Sequence, residues 1–181
     1  MVNDTFVKLA DERAKSRTLP PRLNRINKKL GKKFRVAQQS YDKAKNGIVG
    51  IDQSAIQLRD VLEQLWGGLV VLIRKINPRK YNKAELKLNA TGKSIAMECL
   101  GAKDINKKKL TELLEIVSKI HDEISKPDFG KNPLTNDKEK LAELYDLWLS
   151  VVSDIADYVY LNVRITGSRI VLKEAETNNN S

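Results

Sequence analysis

Twelve lysines and arginines stand between residues 13 and 45 against a single acid, Asp42. The chemistry open to such a run is the neutralisation of phosphate or of another dense array of negative charge. Advancing about 100° per residue from Leu23 gathers Leu23, Ile26, Leu30, Phe34, Ala37, Tyr41 and Ala44 into one narrow arc. Arg25, Lys28, Lys29, Lys32, Arg35 and Lys43 then fall on the opposite side. A solvated helix face ordinarily mixes signs so that residues four apart attract, and unanswered like charges repel. The stretch is therefore expected to face a polyanion, with Arg22, Arg25, Lys28, Lys29, Lys32, Lys33 and Arg35 as phosphate contacts.

A second group extends it: Arg74, Lys75, Arg79, Lys80, Lys83 and Lys87 collect around Tyr81, and Lys107, Lys108 and Lys109 follow. Of these, Arg74, Lys75, Arg79, Lys80, Lys107 and Lys108 join the expected contacts. Lysine-rich clusters position a strand through its phosphates without reading its bases. Aromatic residues make up only 6% of the chain and most lie on apolar seams, which favours backbone tracking over base stacking.

Other residues capable of chemistry form no complete set. "TGKS" at 91–94 has the ending of a phosphate loop, but the glycine required at position 87 is Lys87. His121 is the sole histidine and Cys99 the sole cysteine, so neither a metal cluster nor a Ser/His/Asp triad can be assembled around them. "ELLE" at 112–115 and "ELYD" at 143–146 place paired carboxylates one turn apart on successive helices. That pattern resembles the ExxE…ExxD signature of the all-α nucleotide pyrophosphohydrolases, and the resemblance implies carboxylates holding Mg²⁺ against a triphosphate. Setting Leu141 to zero puts Glu139, Glu143, Asp146, Asp154 and Asp157 between about 140° and 220°, opposite Leu144, Trp148 and Val152. They then face outward, so the chain is expected to be no enzyme, with no metal and no cofactor. The acidic face remains available to a partner protein, which leaves a helical scaffold as a further alternative.

Four long helices must position these groups. One is expected over 21–46, with Pro21 in its first turn and Asn46-Gly47 at its end, and Gly31, which costs about 1 kcal/mol relative to alanine, is the point where it could break. Asp52 is expected to cap the second, whose seam runs from Ala55 to Ile76 before Asn77-Pro78 stops it. Gly67-Gly68 inside it marks a kink or a close backbone approach. Asp104 or Asn106 opens the third, ended by Pro127, and Asn136 with Glu139 starts the fourth, which carries Leu141 to Val159. Residues 84–100 fit a pair of short helices or a hairpin, and 158–173 fit a hairpin about Thr166-Gly167-Ser168. The expected class is all-α, a bundle of four to five long amphipathic helices. One domain over 1–173 would precede a polar tail, 174–181.

The net charge is +10 but two-ended, since residues 110–157 carry five basic against eleven acidic side chains. No apolar run is long enough for a membrane span, and the acidic N-terminus is unlike a secretion signal. A soluble, cytoplasmic protein is the expectation.

In size, charge layout and helix pattern the chain resembles the small subunit of multisubunit CRISPR (Cascade-type) effector complexes. The resemblance implies a helical bundle present in several copies, whose basic faces hold the displaced DNA strand and the guide–target duplex in antiviral defence. The expected function is a sequence-tolerant subunit of a nucleoprotein complex. Its partners would be single-stranded DNA or RNA through phosphates, other subunits and further copies of itself, with no membrane.

Overall fold

The computed structural model describes residues 18–101, 104–131, 137–166 and 169–172, and in it the apolar seams become helices. They are α1 (18–26), α2 (Leu30–Lys45), α3 (Ile51–Ile76), the single turn α4 (Pro78–Tyr81), α5 (Ala90–Leu100), α6 (Asp104–Ile124) and α7 (Asp137–Asn162). The class is all-α. After α7 the backbone of β1 (Val163–Thr166) pairs antiparallel with β2 (Arg169–Leu172), Val163 opposite Leu172. One apolar cluster of buried residues runs from Leu19 to Val163. No helix among the described residues is long and apolar enough to cross a membrane.

The helix expected over 21–46 is two helices, because two asparagines compete for the backbone. Asn27 Oδ1 accepts from the Lys29 amide at 3.1 Å, and Asn24 Oδ1 accepts from the Gly31 amide at 3.0 Å. Short polar side chains of this kind offer the chain an alternative to the helical ladder, and here they close a turn at 27–29. Gly31 makes the turn possible, since a Cβ there would come within 2.5 Å of the Pro20 carbonyl oxygen.

Of the paired glycines in α3, Gly68 is the one at a close approach. A Cβ on it would meet Ile26 Cγ2 at 2.5 Å and the Ile26 carbonyl oxygen at 3.1 Å, while Gly67 faces open space. The helix runs through both without a break, so close approach and not a kink explains the pair.

Two expected caps differ. Gly50, not Asp52, is the N-cap of α3, and Asp52 lies in the first turn where its charge suits the helix dipole. Asn136 lies outside the described residues; α7 carries Asp137 and Glu139 in its first turn. Residues 84–100 are neither hairpin nor two helices. Asn89 Oδ1 caps α5 by accepting from the Gly92 amide at 2.9 Å, and the irregular stretch before it is held by the Trp66 indole, which donates to the Leu86 carbonyl at 3.1 Å. The N-terminal 17 residues and the tail at 174–181 lie outside the described residues.

Buried polar groups tie the layers. Trp148 Nε1 donates to the Leu58 carbonyl at 3.1 Å, joining α7 to α3, and the Tyr158 hydroxyl donates to the Leu100 carbonyl at 2.9 Å, joining α7 to α5. Burial pushes the Tyr158 phenol up to about 12 from 10.0.

Two predictions follow from these contacts. Gly68→Ala should cost about 1–3 kcal/mol in urea unfolding through overpacking against Ile26, while Gly67→Ala should be neutral or stabilise by up to about 1 kcal/mol. The stability that neutral Tyr158 contributes is intact below its ordinary value of 10.0 and is lost as pH rises through about 12. Tyr158→Phe should therefore cost about 1 kcal/mol near neutrality and flatten the decline of unfolding free energy over that alkaline range.

Candidate nucleic-acid interface

Burial of one face decides where the cations of α1 and α2 go. Leu19, Leu23 and Ile26 of α1 and Leu30, Phe34, Ala37, Tyr41 and Ala44 of α2 are buried. Arg25, Lys28, Lys29, Lys32, Arg35, Lys43 and Lys45 are left exposed. Among the described residues Lys28, Lys29, Lys32 and Arg35 form no ion pair. Arg22 and Lys33 differ from the expectation of an unanswered basic face, because acids on other helices reach them. Arg22 pairs with Asp157 of α7, and Lys33 pairs with Asp60 of α3. Both pairs are half-exposed, where such contacts contribute little stability and are weakened by salt.

The second basic group divides in the same way. Arg74 is half-buried, and its Nη2 donates to the Ala84 carbonyl at 2.7 Å, so it pins the chain after α4 to the end of α3. Lys80 lies 3.3 Å from Glu98 on α5 and 5.1 Å from the Tyr81 ring centre. Lys75 and Arg79 are exposed and form no ion pair among the described residues. Lys107 and Lys108 are exposed at the start of α6.

Tertiary contacts bring the two groups to one end of the bundle. Ile26 of α1 lies against Gly68, less than two turns of α3 before Arg74. Arg22 meets Asp157 near the end of α7, and the Asn106 amide donates to Asn162 Oδ1 at 3.1 Å, joining the start of α6 to the same end of α7. Arg22, Arg25, Arg74, Lys75, Arg79, Lys80, Lys107 and Lys108 thus share that end. Lys28, Lys29, Lys32, Lys33 and Arg35 continue from it along α2.

The opposite end carries many of the acids. Glu123 of α6 accepts from Lys126 and Lys140, which hold its carboxyl below the ordinary range, while Asp137 Oδ2 accepts from the Gly130 amide at 3.0 Å. Glu139, Glu143 and Asp146 are exposed on α7.

The carboxylates of the ExxE…ExxD pattern do not converge. Glu115 lies 2.8 Å from Lys93 of α5, whose ammonium lowers its pKa, and Glu112 is exposed. Among the described residues no three His, Cys, Asp or Glu side chains come together as a metal site. His121 Nε2 stands 3.6 Å from Glu63 of α3, and the buried Cys99 thiol is pushed up by desolvation, away from the reactive thiolate.

Sequence reasoning missed Tyr160. The residue is 39% exposed near the end of α7, with the Arg25 guanidinium over its ring 4.6 Å and the Arg22 guanidinium 5.4 Å from the ring centre. The signal was slight: Tyr160 stands one place beyond the seam residue Val159, and Arg22 and Arg25 are one helical turn apart on α1.

A scan against protein-family models, a search of curated proteins and a search of solved structures return no match for this chain.

The division between engaged and unengaged cations predicts different stabilities. Arg74→Ala should destabilise the fold by about 1–3 kcal/mol, since it strips a donor from a half-buried carbonyl. Lys75→Ala and Arg79→Ala should stay within about 0.5 kcal/mol of the parent, all three read by chemical denaturation.

Proposed function

We propose that this chain is a non-enzymatic, sequence-tolerant nucleic-acid-binding bundle that holds single-stranded DNA or RNA by its phosphates as a subunit of a larger nucleoprotein complex. The observation that carries the reading is the row Lys28, Lys29, Lys32 and Arg35. These cations are exposed and form no ion pair among the described residues, and they lead to the end of the bundle where Arg25, Lys75, Arg79 and Lys108 stand. Cations held on one side in this way release condensed counter-ions when they meet phosphate, and the gain grows with their number.

Lysines dominate this surface, and their contacts would position a strand without selecting its sequence. A small subunit of a CRISPR effector complex, acting in the cytoplasm in antiviral defence, is the specific form this proposal takes. Charge layout and helix pattern support it, and several copies could then line one strand. The acidic end would be left for neighbouring protein subunits.

Fluorescence anisotropy against a labelled single strand across a salt series tests the reading. Each phosphate neutralised on a single strand contributes about 0.7 to the slope of log K against log salt. Joint replacement of Lys28, Lys29, Lys32 and Arg35 by alanine should thus lower that slope by up to about 3, whatever the base sequence. Lys33→Ala, whose charge is already answered by Asp60, should change it far less. Absence of binding at low salt would overturn the proposal.

A further inference from the structure

Tyr160 is set apart from the rings of the core by its exposure and by its company. The buried aromatics Phe34, Tyr41, Tyr145 and Trp148 stack on one another, whereas Tyr160 is 39% exposed and two guanidiniums lie over its ring. The two arginines play different parts. Arg22 is paired with Asp157, one turn before Tyr160 on α7, and that pair fixes α1 against the face from which the ring projects. Arg25 lies closer to the ring, at 4.6 Å, is exposed, and forms no ion pair among the described residues. One charge is answered inside the fold and its neighbour is not.

The surroundings continue the basic surface. Arg25 is followed one helical turn on by Lys28 and Lys29, both exposed and forming no ion pair among the described residues; Lys107 and Lys108 share this end of the bundle but reach α7 through Asn162, about 200° around the helix from Tyr160. A nucleotide brings two unlike groups, a flat base and an anionic phosphate. A partly exposed tyrosine with a guanidinium over its ring, one that forms no ion pair among the described residues, offers a contact to each: the base extends the stack of ring and guanidinium, and the guanidinium N–H groups meet the phosphate.

We infer that Tyr160 and Arg25 form a base-stacking position, in which one unpaired nucleobase stacks on the Tyr160 ring while Arg25 takes an adjacent phosphate. The Arg22–Asp157 pair is the positioning element. This rests on the nucleic-acid reading above and deepens it: the protein prefers unpaired strands over duplexes, because bases in a duplex are stacked on one another and present only their edges. It adds no sequence preference, since every base has a face to stack. A membrane surface is the other polyanion that an aromatic beside cations could meet. Among the described residues the apolar company on α7 is sparse, however, because its other large exposed hydrophobics are Leu161 and, more than three turns away, Leu147.

The test uses the full chain, four probes and two variants: a labelled single strand, the same strand with abasic sites throughout, the corresponding duplex, and anionic phosphatidylserine vesicles, with Tyr160→Ala and Tyr160→Phe. The single strand should bind the parent protein more tightly than the duplex. Tyr160→Ala should weaken single-strand binding by roughly 5- to 100-fold at fixed low salt with an unchanged salt slope, and Tyr160→Phe should retain it. The abasic strand should bind the parent protein about as weakly as the intact strand binds Tyr160→Ala, a readout that needs no variant to fold. Equal affinity of the intact and abasic strands for the parent protein would overturn the stacking position while leaving the phosphate-binding reading in place. Failure of every strand to bind at low salt would remove both. Vesicle binding that Tyr160→Ala abolishes, without strand binding, would assign the ring to lipid.

Discussion

Trp148 occupies the crossing on which the arrangement of α2, α3 and α7 depends. Its side chain is fully buried, and a buried indole N–H must find an acceptor in a layer that is mostly apolar. A helix carbonyl is what such a layer can offer, and Leu58 supplies it at 3.1 Å through a lone pair that the α-helical ladder leaves over. That bond sets the rotation of α7 against α3. Phe34 then lies nearly parallel on the indole, ring centres 5.2 Å apart and 8° between planes, with Tyr145 on α7 stacked in turn on Tyr41. The rotation of α2 is fixed by the same ring. Turning α2 enough to free Phe34 would carry Lys32 or Arg35 towards the core, where an unpaired charge costs several kcal/mol. The outward direction of the basic row is therefore a consequence of how one tryptophan satisfies its N–H.

This dependence explains which features could be read from the chain. Seams such as Leu58, Leu62, Leu65, Leu69 and Leu72 in α3, or Leu141, Trp148, Val152, Ile155 and Val159 in α7, are statements about one helix and one face. Periodicity reports these directly, and the bundle class follows from them. The turn at 27–29 left no trace in that pattern, because Leu23, Ile26, Leu30 and Phe34 keep helical spacing straight through it. The asparagines at 24 and 27 that make the turn act through side-chain oxygens, which a count of apolar positions ignores. The Gly67-Gly68 pair was legible as a kink or a close approach, yet which glycine is approached, and by Ile26, was not, since nothing in α3 names the element that crosses it.

The same limit governs the candidate interface. The exposed row of α1 and α2 was legible because it needs only the helix angle. The partners of Arg22, Lys33 and Arg74 were not, because Asp157, Asp60 and the Ala84 carbonyl lie in other segments and reach them only after the helices pack. Tyr160 was hidden for the converse reason. Beside Val159 it reads as an ordinary amphipathic residue, and only the arrival of α1 at the end of α7 brings guanidiniums to its ring.

Helix angle also accounts for the split between answered and unanswered cations. Measured about the α1 axis from Leu23, Arg22 falls at about 260°, close to the seam edge that Ile26 marks at about 300°, while Arg25 falls at about 200°. In α2, measured from Leu30, Lys33 falls at about 300°, whereas Lys32 and Arg35 fall at about 200° and 140°. A cation at the border of a seam lies within reach of a carboxylate on the helix packed there. One placed a further 60° or more around the cylinder pairs with no carboxylate among the described residues, and Arg25 meets α7 through the Tyr160 ring. Arg22 and Lys33 thus find Asp157 and Asp60, and among the described residues no carboxylate pairs with Arg25, Lys28, Lys29, Lys32 or Arg35. Mobile ions hold such a row at an entropic cost, and a strand of linked phosphates returns those ions to solution all at once. The geometry that keeps these residues out of ion pairs among the described helices is what leaves them exposed.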